Sequence, residues 1–549
     1  MQKFMYPIGV SNFAELIRGM DPDGVIYKYV DKTLMIRDLL KDSAKIVLFT
    51  RPRRFGKTLA LSMLEHFFAA EVIGVSTKGL FDDLSIGKLP NYMEHQGKYP
   101  VISISLKDLK HSSFEDMLTA MQALVQDMFQ RHKYLLQSEK LDQFDKAKLM
   151  RYLGDLKDVS VERGIKDLSE AIYNHSGKKS IVLIDEYDIP IQIAYENGFY
   201  KDTVNIIKMM FENALKDNNY LERGVLTGVT RVTRESILSG LNHIMVYSIL
   251  SEEYSDYFGF TEGEVQEMCD SDYLDEVKQW YNGYTFGKTT IYNPWSILHF
   301  LRSNYKYAPY WLNTGGTGII DTLDKTPYIA QMERLLDGEH LEDAAAIDPS
   351  IVFADLATSE GAFWNLMVMT GYLTIDEDKK IRVPNREVGW FFAKLLKRWL
   401  ANKKDDRYID AFAKAVITND TETMKEHLEY ITKNILSYHD KWKKRSEALY
   451  HAIFIGLLSC LKDRFIIKSN RESGKGRYDI AMFPYEREKD IGVLIEIKVD
   501  EPVNVALKQI ETKDYATELV QYQCKDILKY GISFNGEELE IESVPTIKP

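Results

Sequence analysis

The sequence predicts an α/β protein of several domains: a mainly parallel N-terminal sheet, a helical middle region and a separate C-terminal α/β unit. Three observations predict it. At roughly 150 residues per domain, 549 residues exceed what one hydrophobic core organises. Short apolar β-branched runs in the first half alternate with long helical patterns, the signature of βαβ units and a parallel sheet. The final stretch of about 110 residues mixes strands and helices and is large enough for a core of its own.

Taken in order, the first element is KIVLFTRPRRFGKTLALSMLEHFF (45–68): a run from Ile46 to Phe49, a turn, and an apolar-periodic helix from Thr58. A helical stretch ending near His175 precedes the strand SIVLIDEYD from Ser180, and RGVLTGVT from Arg223 reads as a third strand. From about 250 to 345 the text is aromatic and irregular, with too many Trp and Tyr to face solvent, so a packed helical subdomain is expected. AFWNLMVMTG leads through YLTI and the polar turn DEDKK to IRVP, a helix and β-hairpin that resembles a winged-helix module. Residues 389–440 read as amphipathic helix. The basic run KWKKR (441–445) introduces the helix EALYHAIFIGLLSCL. Strands follow near 463–469, 477–483 and 492–499, then a helix over 503–517 and strands near 530 and 538. The expected domains are 1–250, 251–435 and 436–549.

Composition excludes several classes. Hydrophobic residues at 45% and charged residues at 28% are ordinary for a globular protein, which argues against a disordered, collagen-like or coiled-coil chain. Lys plus Arg is 70 and Asp plus Glu 82, a formal charge of −12 that excludes a basic nucleic-acid coat but not a local basic groove. Cys269, Cys460 and Cys524 lie too far apart for a disulfide scaffold or zinc ribbon, which points to a reducing compartment. The start MQKFMYPIGV lacks the apolar core of a signal peptide, and no run approaches the ~20 apolar residues that span a bilayer. A cytoplasmic protein without a membrane partner is expected. No fixed-period repeat suggests a solenoid or propeller.

Phe55-Gly56-Lys57-Thr58 closes a strand–loop–helix segment. Backbone amides opening such a helix cradle phosphates, Lys57 reaches them, and Thr58 holds Mg²⁺. Arg51 stands where the strict pattern has its first glycine. The strand Ile181-Val182-Leu183-Ile184 then ends in Asp185-Glu186. Carboxylates at the tip of a buried strand cost desolvation unless they face a site. Asp185 is expected in the Mg²⁺ shell and Glu186 to polarise the attacking water. Arg231 and Arg234, beyond the third strand, are candidates to sense the γ-phosphate. Arg53 and Arg54 either touch phosphates or cap a partner's acids.

With those residues in view, YVDKT (29–33), RPRRFGKT (51–58), VLIDEYD (182–188), LTGVTRVTRESILSGLN (226–242), WYNGYTF (280–286), YNPWS (292–296) and VPNREV (383–388) resemble the AAA-ATPase-like proteins of anaerobic gut bacteria. These carry a PD-(D/E)XK nuclease-superfamily domain at the C-terminus. The resemblance spans nearly the whole chain. It implies a P-loop ATPase core with Lys57, Thr58, Asp185 and Glu186 in the roles above, an RPRR loop as the usual form, and a restriction-endonuclease-like C-terminal fold. It assigns no role to the aromatic motifs.

The C-terminal residues carry a chemistry of their own. In VLIEIKV, Leu494, Glu496 and Lys498 share one face of a strand and Val493, Ile495, Ile497 and Val499 the other. Asp479 lies seventeen residues upstream in RYDIAMF, where Tyr478, Ile480 and Met482 can pack below it. Adjacent strands thus bring Asp479, Glu496 and Lys498 together. Phosphodiester hydrolysis uses this set: carboxylate oxygens hold Mg²⁺ or Mn²⁺, the metal lowers the pKa of a water, and Lys orients it or stabilises the developing charge. Glu447 heads a helical stripe with His451, Phe454 and Leu458 and is a third candidate metal ligand; as a first-turn acid it also suits the helix dipole. Gln509 and Lys513 lie four apart on the following helix. These residues resemble the PD-(D/E)XK signature, with Tyr478-Asp479 in place of Pro-Asp. The tyrosine that exonuclease-like relatives place four residues after Gln falls on Lys513, with Tyr515 two further on.

Two functions compete. An ATP-dependent or ATP-gated nuclease would use both sites, with DNA favoured over RNA as substrate. An NTP-driven switch would only bind nucleic acid or protein through its C-terminal fold. KWKKR, Lys468, Arg471, Lys475 and Arg477 are the local basic groups for phosphate contact, and such binding falls steeply with salt. Self-association into a homo-oligomer is compatible with either.

Overall fold

The computed structural model describes residues 4–216, 218–232, 244–311, 328–336, 338–341, 350–351, 360–392, 406–436, 454, 457–458, 461, 464–473, 476–535 and 538–546. The chain divides into two compact units, Met1–Asp324 with Glu342–Glu387, and Lys325–Leu341 with Val388–Pro549. The described residues of 251–311 and 350–387 therefore group with the N-terminal sheet, and those of 388–392 and 406–435 with the C-terminal one.

The first unit is built on five parallel strands, β1 (Ile46–Thr50), β2 (Val101–Ser105), β3 (Ser180–Asp185), β4 (Leu221–Gly228) and β5 (Ile244–Tyr247), in the order β5-β1-β4-β3-β2. Every residue of β1 and β3 is buried, as expected of strands covered on both faces, and this is why they read as unbroken apolar runs. The edge strand β2 alternates instead. Helix α1 (Lys57–Phe68) starts at the end of the loop after β1, with Gly56 at φ +87°, a left-handed conformation that glycine adopts without strain. Helix α2 (Ile189–Asn197) follows β3 after a turn of three residues.

The aromatic text resolves into short helices, Glu262–Met268, Leu274–Tyr281 and α3 (Pro294–Arg302), with a hairpin of Tyr284–Phe286 and Thr289–Ile291. Phe260, Val265, Val277, Tyr281, Tyr292, Ile297 and Phe300 form their core. The helix Glu360–Met369 and a hairpin of Thr374–Ile375 and Ile381–Arg382 are present, with strands of only two residues each. That hairpin is docked on the aromatic motif: the Thr285 amide donates to Thr374 Oγ1 at 3.0 Å and Arg382 Nη2 to the Gly283 carbonyl at 2.7 Å. Gly283 sits at φ +96°, and a Cβ there would lie 2.0 Å from the Pro384 carbonyl oxygen.

The second unit holds a mixed sheet of β6 (Phe465–Ser473), β7 (Gly476–Pro484), β8 (Gly492–Val499), β9 (Ile527–Asn535) and β10 (Glu538–Thr546), in that order; β8 and β9 are parallel and the other pairs antiparallel. On one face Val493, Ile495 and Ile497 share a core with Phe412, Val416, Met424 and Leu428 from the helices Asp406–Thr418 and Thr421–Leu436. On the other, Leu494 meets Ile510 of α4 (Val503–Thr512), with Tyr515 and Leu519 beyond it. The period-two alternation of VLIEIKV therefore sets two apolar faces and leaves Glu496 and Lys498 on the α4 side. Tyr478 corrects the sequence expectation: Ile480 and Met482 join the first core, but Tyr478 packs in the second, with Leu494 and Tyr515. The β7–β8 ladder runs only over Ile480–Met482, and before Ile480 the strands part.

Candidate functional sites

In the first unit, the loop between β1 and α1 is held by an unusual residue. Arg51 is fully buried; its guanidinium donates to the carbonyls of Thr50 (2.9 Å), Tyr247 (2.8 Å) and Tyr254 (3.2 Å) and lies over the rings of Phe258 and Phe286. Burial without a carboxylate lowers its pKa to about 9. The Arg51 amide also donates to the Gly228 carbonyl at the end of β4. One side chain thus ties the ends of β1 and β5 to the aromatic hairpin, a role glycine could not fill. Phe55 packs against Tyr284 and Phe286, and Arg54 lies over Trp295 at 4.2 Å. WYNGYTF and YNPWS therefore wall the phosphate loop, which is the role the sequence left open.

Lys57 is buried and donates to the carbonyls of Arg51 and Pro52, both at 2.9 Å; burial holds its pKa down against the attraction of Glu186, Asp188 and Asp185. Thr58 Oγ1 donates to Asp185 Oδ2 at 2.7 Å, so the two proposed magnesium-shell residues meet. Asp185 Oδ1 accepts from Thr227 Oγ1 of β4, the strand between β1 and β3. Glu186 follows at φ +52°, half-buried, and burial raises its carboxyl pKa. Asp188 Oδ2 accepts from the amides of Val229 and Thr230 and from Thr230 Oγ1, fixing the turn after β4. Arg53, Arg54, Gly56, Lys57, Thr58 and Glu186 line one cavity of about 720 Å³. Its wall also includes Ile8, Gly9 and Val10, Trp295 and Leu298 of α3, and Ile189, Gln192, Ile193 and Glu196 of α2. YVDKT is part of the frame: Lys32 pairs with Glu264 at 2.6 Å, and Asp31 accepts from Thr33 and Ser85.

Thr227 and Asp188 are site residues that sequence reasoning missed. Arg231, proposed to sense phosphate, lies in a two-residue strand paired with Ser350–Ile351 and is not among the residues lining the cavity. Arg234 lies outside the described residues.

In the second unit, where β7 and β8 part, Asp479 Oδ2 accepts the Ile497 amide at 2.6 Å. A carboxylate takes the place of the missing ladder partner, and this brings Asp479 beside Glu496. Glu496 is 1% exposed; its Oε1 accepts from Lys498 Nζ at 3.2 Å and its Oε2 has no hydrogen-bond partner. Burial, then the nearby Asp479, push its pKa up to about 8 against the pull of Lys498. Asp479, Glu496 and Lys498 thus converge. An orphaned, charge-repelled carboxylate oxygen fits a divalent cation, and Mg²⁺ is commonly held by only one or two carboxylates, completed by phosphate oxygens. Among the described residues no group of three or more His, Cys, Asp or Glu is arranged to hold a metal ion. Glu447, His451, the 441–445 run and Lys475, with the side chains of Arg471 and Arg477, lie outside the described residues.

Gln509 Nε2 donates to Tyr515 Oη at 3.1 Å, so the Gln–Tyr pair is made by the residue two beyond Lys513, which is exposed. Lys468, counted among the basic groups, is engaged by Glu518 at 2.5 Å and lies over the Phe483 ring. No helix among the described residues is long and apolar enough to cross a membrane.

Residues 7–238 match the family described as "Predicted AAA-ATPase", and residues 445–544 match the PD-(D/E)XK nuclease superfamily. The chain is also 26% identical over 550 residues, 94% of each chain, to a protein of Azotobacter chroococcum (mcd 1) named "Uncharacterized protein in vnfD 5'region". The two matched segments fall on the two sites just described.

Proposed function

We propose that this chain, which carries a predicted AAA-ATPase domain and a C-terminal PD-(D/E)XK nuclease-superfamily domain, binds and hydrolyses ATP and cleaves phosphodiester bonds of nucleic acid with a divalent metal. The observation that carries the reading is the convergence of Asp479, Glu496 and Lys498 at a point where the strand pairing opens. A cation bound by Asp479 and Glu496 would activate water and offset phosphate charge. Lys498, one turn of the pleat away, then orients the water or the scissile phosphate. In the first unit Lys57 and the loop amides hold the phosphates, Thr58 and Asp185 hold Mg²⁺, and Glu186 draws the proton from the attacking water. The raised pKa of Glu186 suits it to accept that proton. DNA is the favoured substrate.

The test is cleavage of duplex DNA, single-stranded DNA and RNA by the full chain with Mg²⁺ or Mn²⁺, with and without ATP. Lys498→Ala and Lys57→Ala serve as separate controls. Loss of cleavage in Lys498→Ala, with ATP hydrolysis kept, is expected. Equal cleavage by wild type and Lys498→Ala overturns the nuclease reading. A change in cleavage on adding ATP that Lys57→Ala abolishes is expected if nucleotide gates the cut.

A further inference from the structure

Phosphoryl transfer to water places negative charge on the γ-phosphoryl oxygens, and an arginine that meets it is worth about 10³–10⁵ in rate, whether it comes from the same chain or from a partner. Among the described residues the cavity wall holds two arginines, Arg53 and Arg54. Arg54 is exposed and lies over the Trp295 ring. Arg53 is half-buried, and its charge is felt at both Lys57 and Glu186, the groups that bracket the γ-phosphate.

Arg53 is also fixed at both ends. Its carbonyl accepts from the Trp311 indole at 3.2 Å. Its Nη2 donates to Gln192 Oε1 at 3.3 Å, and Gln192 Nε2 donates to Glu196 Oε1 at 2.9 Å. The donor on one side and the carboxylate on the other leave the Gln192 amide a single orientation. Gln192 and Glu196 stand with Ile189 and Ile193 at the i, i+3, i+4, i+7 positions of α2, the helix that follows directly from Glu186, and this whole stripe faces the cavity. The relay therefore ties the loop that bears Lys57 to the helix that follows the strand tip bearing Glu186.

We infer that Arg53 supplies in cis the cation for ATP hydrolysis and that Gln192, oriented by Glu196, is the positioning residue that holds it there; the inference rests on the hydrolytic reading of this cavity. In the step it serves, the water oxygen bonds to the γ-phosphorus as the bond to the β–γ bridging oxygen breaks. ADP and inorganic phosphate leave, and one water proton passes to Glu186. No arginine from a second copy is needed, so the rate per chain is independent of protein concentration.

The experiment measures single-turnover ATP hydrolysis, ATP affinity, and affinity for ADP with and without aluminium fluoride. It compares wild type, Arg53→Ala, Gln192→Ala, Gln192→Glu and the double variant Arg53→Ala/Gln192→Ala. Arg53→Ala should lower the rate by about 10³-fold with a far smaller change in ATP affinity, and should abolish the extra affinity that aluminium fluoride confers on ADP. Gln192→Ala should lower the rate about 10-fold in wild type and not at all in the Arg53→Ala background, with Gln192→Glu, which keeps the acceptor for Arg53 but loses the donor to Glu196, recovering only part of it. Effects of the two substitutions that multiply, or an Arg53→Ala protein as fast as wild type, overturn the inference while leaving the ATPase reading intact. A wild type that binds ATP without hydrolysing it overturns both.

Discussion

Glu387, in VPNREV, is fully buried in the first unit, and among the described residues no cation pairs with it. Oε2 accepts from Ser296 Oγ and Oε1 from the Trp311 amide, each at 2.6 Å, and burial raises its pKa to about 7. A carboxyl raised from its ordinary 4.5 to about 7 binds its proton more tightly in the folded chain, by about 3 kcal/mol at 1.36 kcal/mol per pH unit. The sign is therefore opposite to that of a salt-bridged acid. The contribution is complete below pH 4.5 and is lost as pH rises through 7. Glu387→Gln keeps both contacts, its amide oxygen accepting from Trp311 and its NH₂ donating to Ser296, and removes the charge. The two proteins should match in stability near pH 4.5, and the variant should be more stable by up to about 3 kcal/mol at pH 8. Urea unfolding of the full chain across that range, followed by hydrogen exchange in peptides covering 294–311, reads the difference. Parallel pH profiles for the two proteins would refute the reasoning, because they would mean that Glu387 never carries a buried charge.

Further outcomes follow from the same contacts. Arg51→Met removes the donors from the Thr50 and Tyr247 carbonyls at the ends of β1 and β5 and from the Tyr254 carbonyl beyond them, and should cost about 3 kcal/mol in urea unfolding, with ATP affinity falling alongside. Gly283→Ala forces a Cβ within 2.0 Å of the Pro384 carbonyl at a left-handed φ and should destabilise the first unit by about 2 kcal/mol or more; a neutral effect contradicts the packing. Thr227→Val is isosteric and removes the donor to Asp185, so ATP hydrolysis should fall by about 10-fold with binding kept. Mn²⁺ should raise the melting temperature of wild type but not of Glu496→Gln, since only the former offers an unpartnered carboxylate oxygen.

Elements whose burial is complete were legible because completeness leaves a pattern. β1 and β3 carry unbroken apolar runs, and in β8 Glu496 and Lys498 alternate with Ile495, Ile497 and Val499, so strand type, face and the side on which Glu496 and Lys498 stand could all be read from the sequence. The aromatic motifs were not legible in the same way. Nothing in WYNGYTF says that Tyr284 and Phe286 will press on Phe55 and Arg51, because the contact joins positions more than two hundred residues apart. Arg51 stands where the strict pattern has a glycine, and the sequence assigns its side chain no contact. Its guanidinium satisfies carbonyls at the ends of β1 and β5 and in the turn beyond, which only the sheet order reveals.

The site was legible where chemistry forces a residue type and illegible where geometry selects among ordinary ones. Lysine after the loop glycine and acids at a strand tip are costly anywhere else, so Lys57, Asp185 and Glu186 stand out as candidates in the sequence alone. Thr227 is one of many threonines, and it is marked only by β4 lying between β1 and β3, which sets its hydroxyl against Asp185. Arg231 is the complementary case: it closely follows a strand end in the sequence, but there the chain pairs with Ser350–Ile351, away from the residues that line the cavity. Gln192 is the extreme case. Its stripe of Ile189, Ile193 and Glu196 at helical spacing resembles a face packed on a core, and no periodicity distinguishes a helix that packs on side chains from one that lines a cavity. What distinguishes them is an arginine at the other end of the hydrogen bond, 139 residues away in the chain.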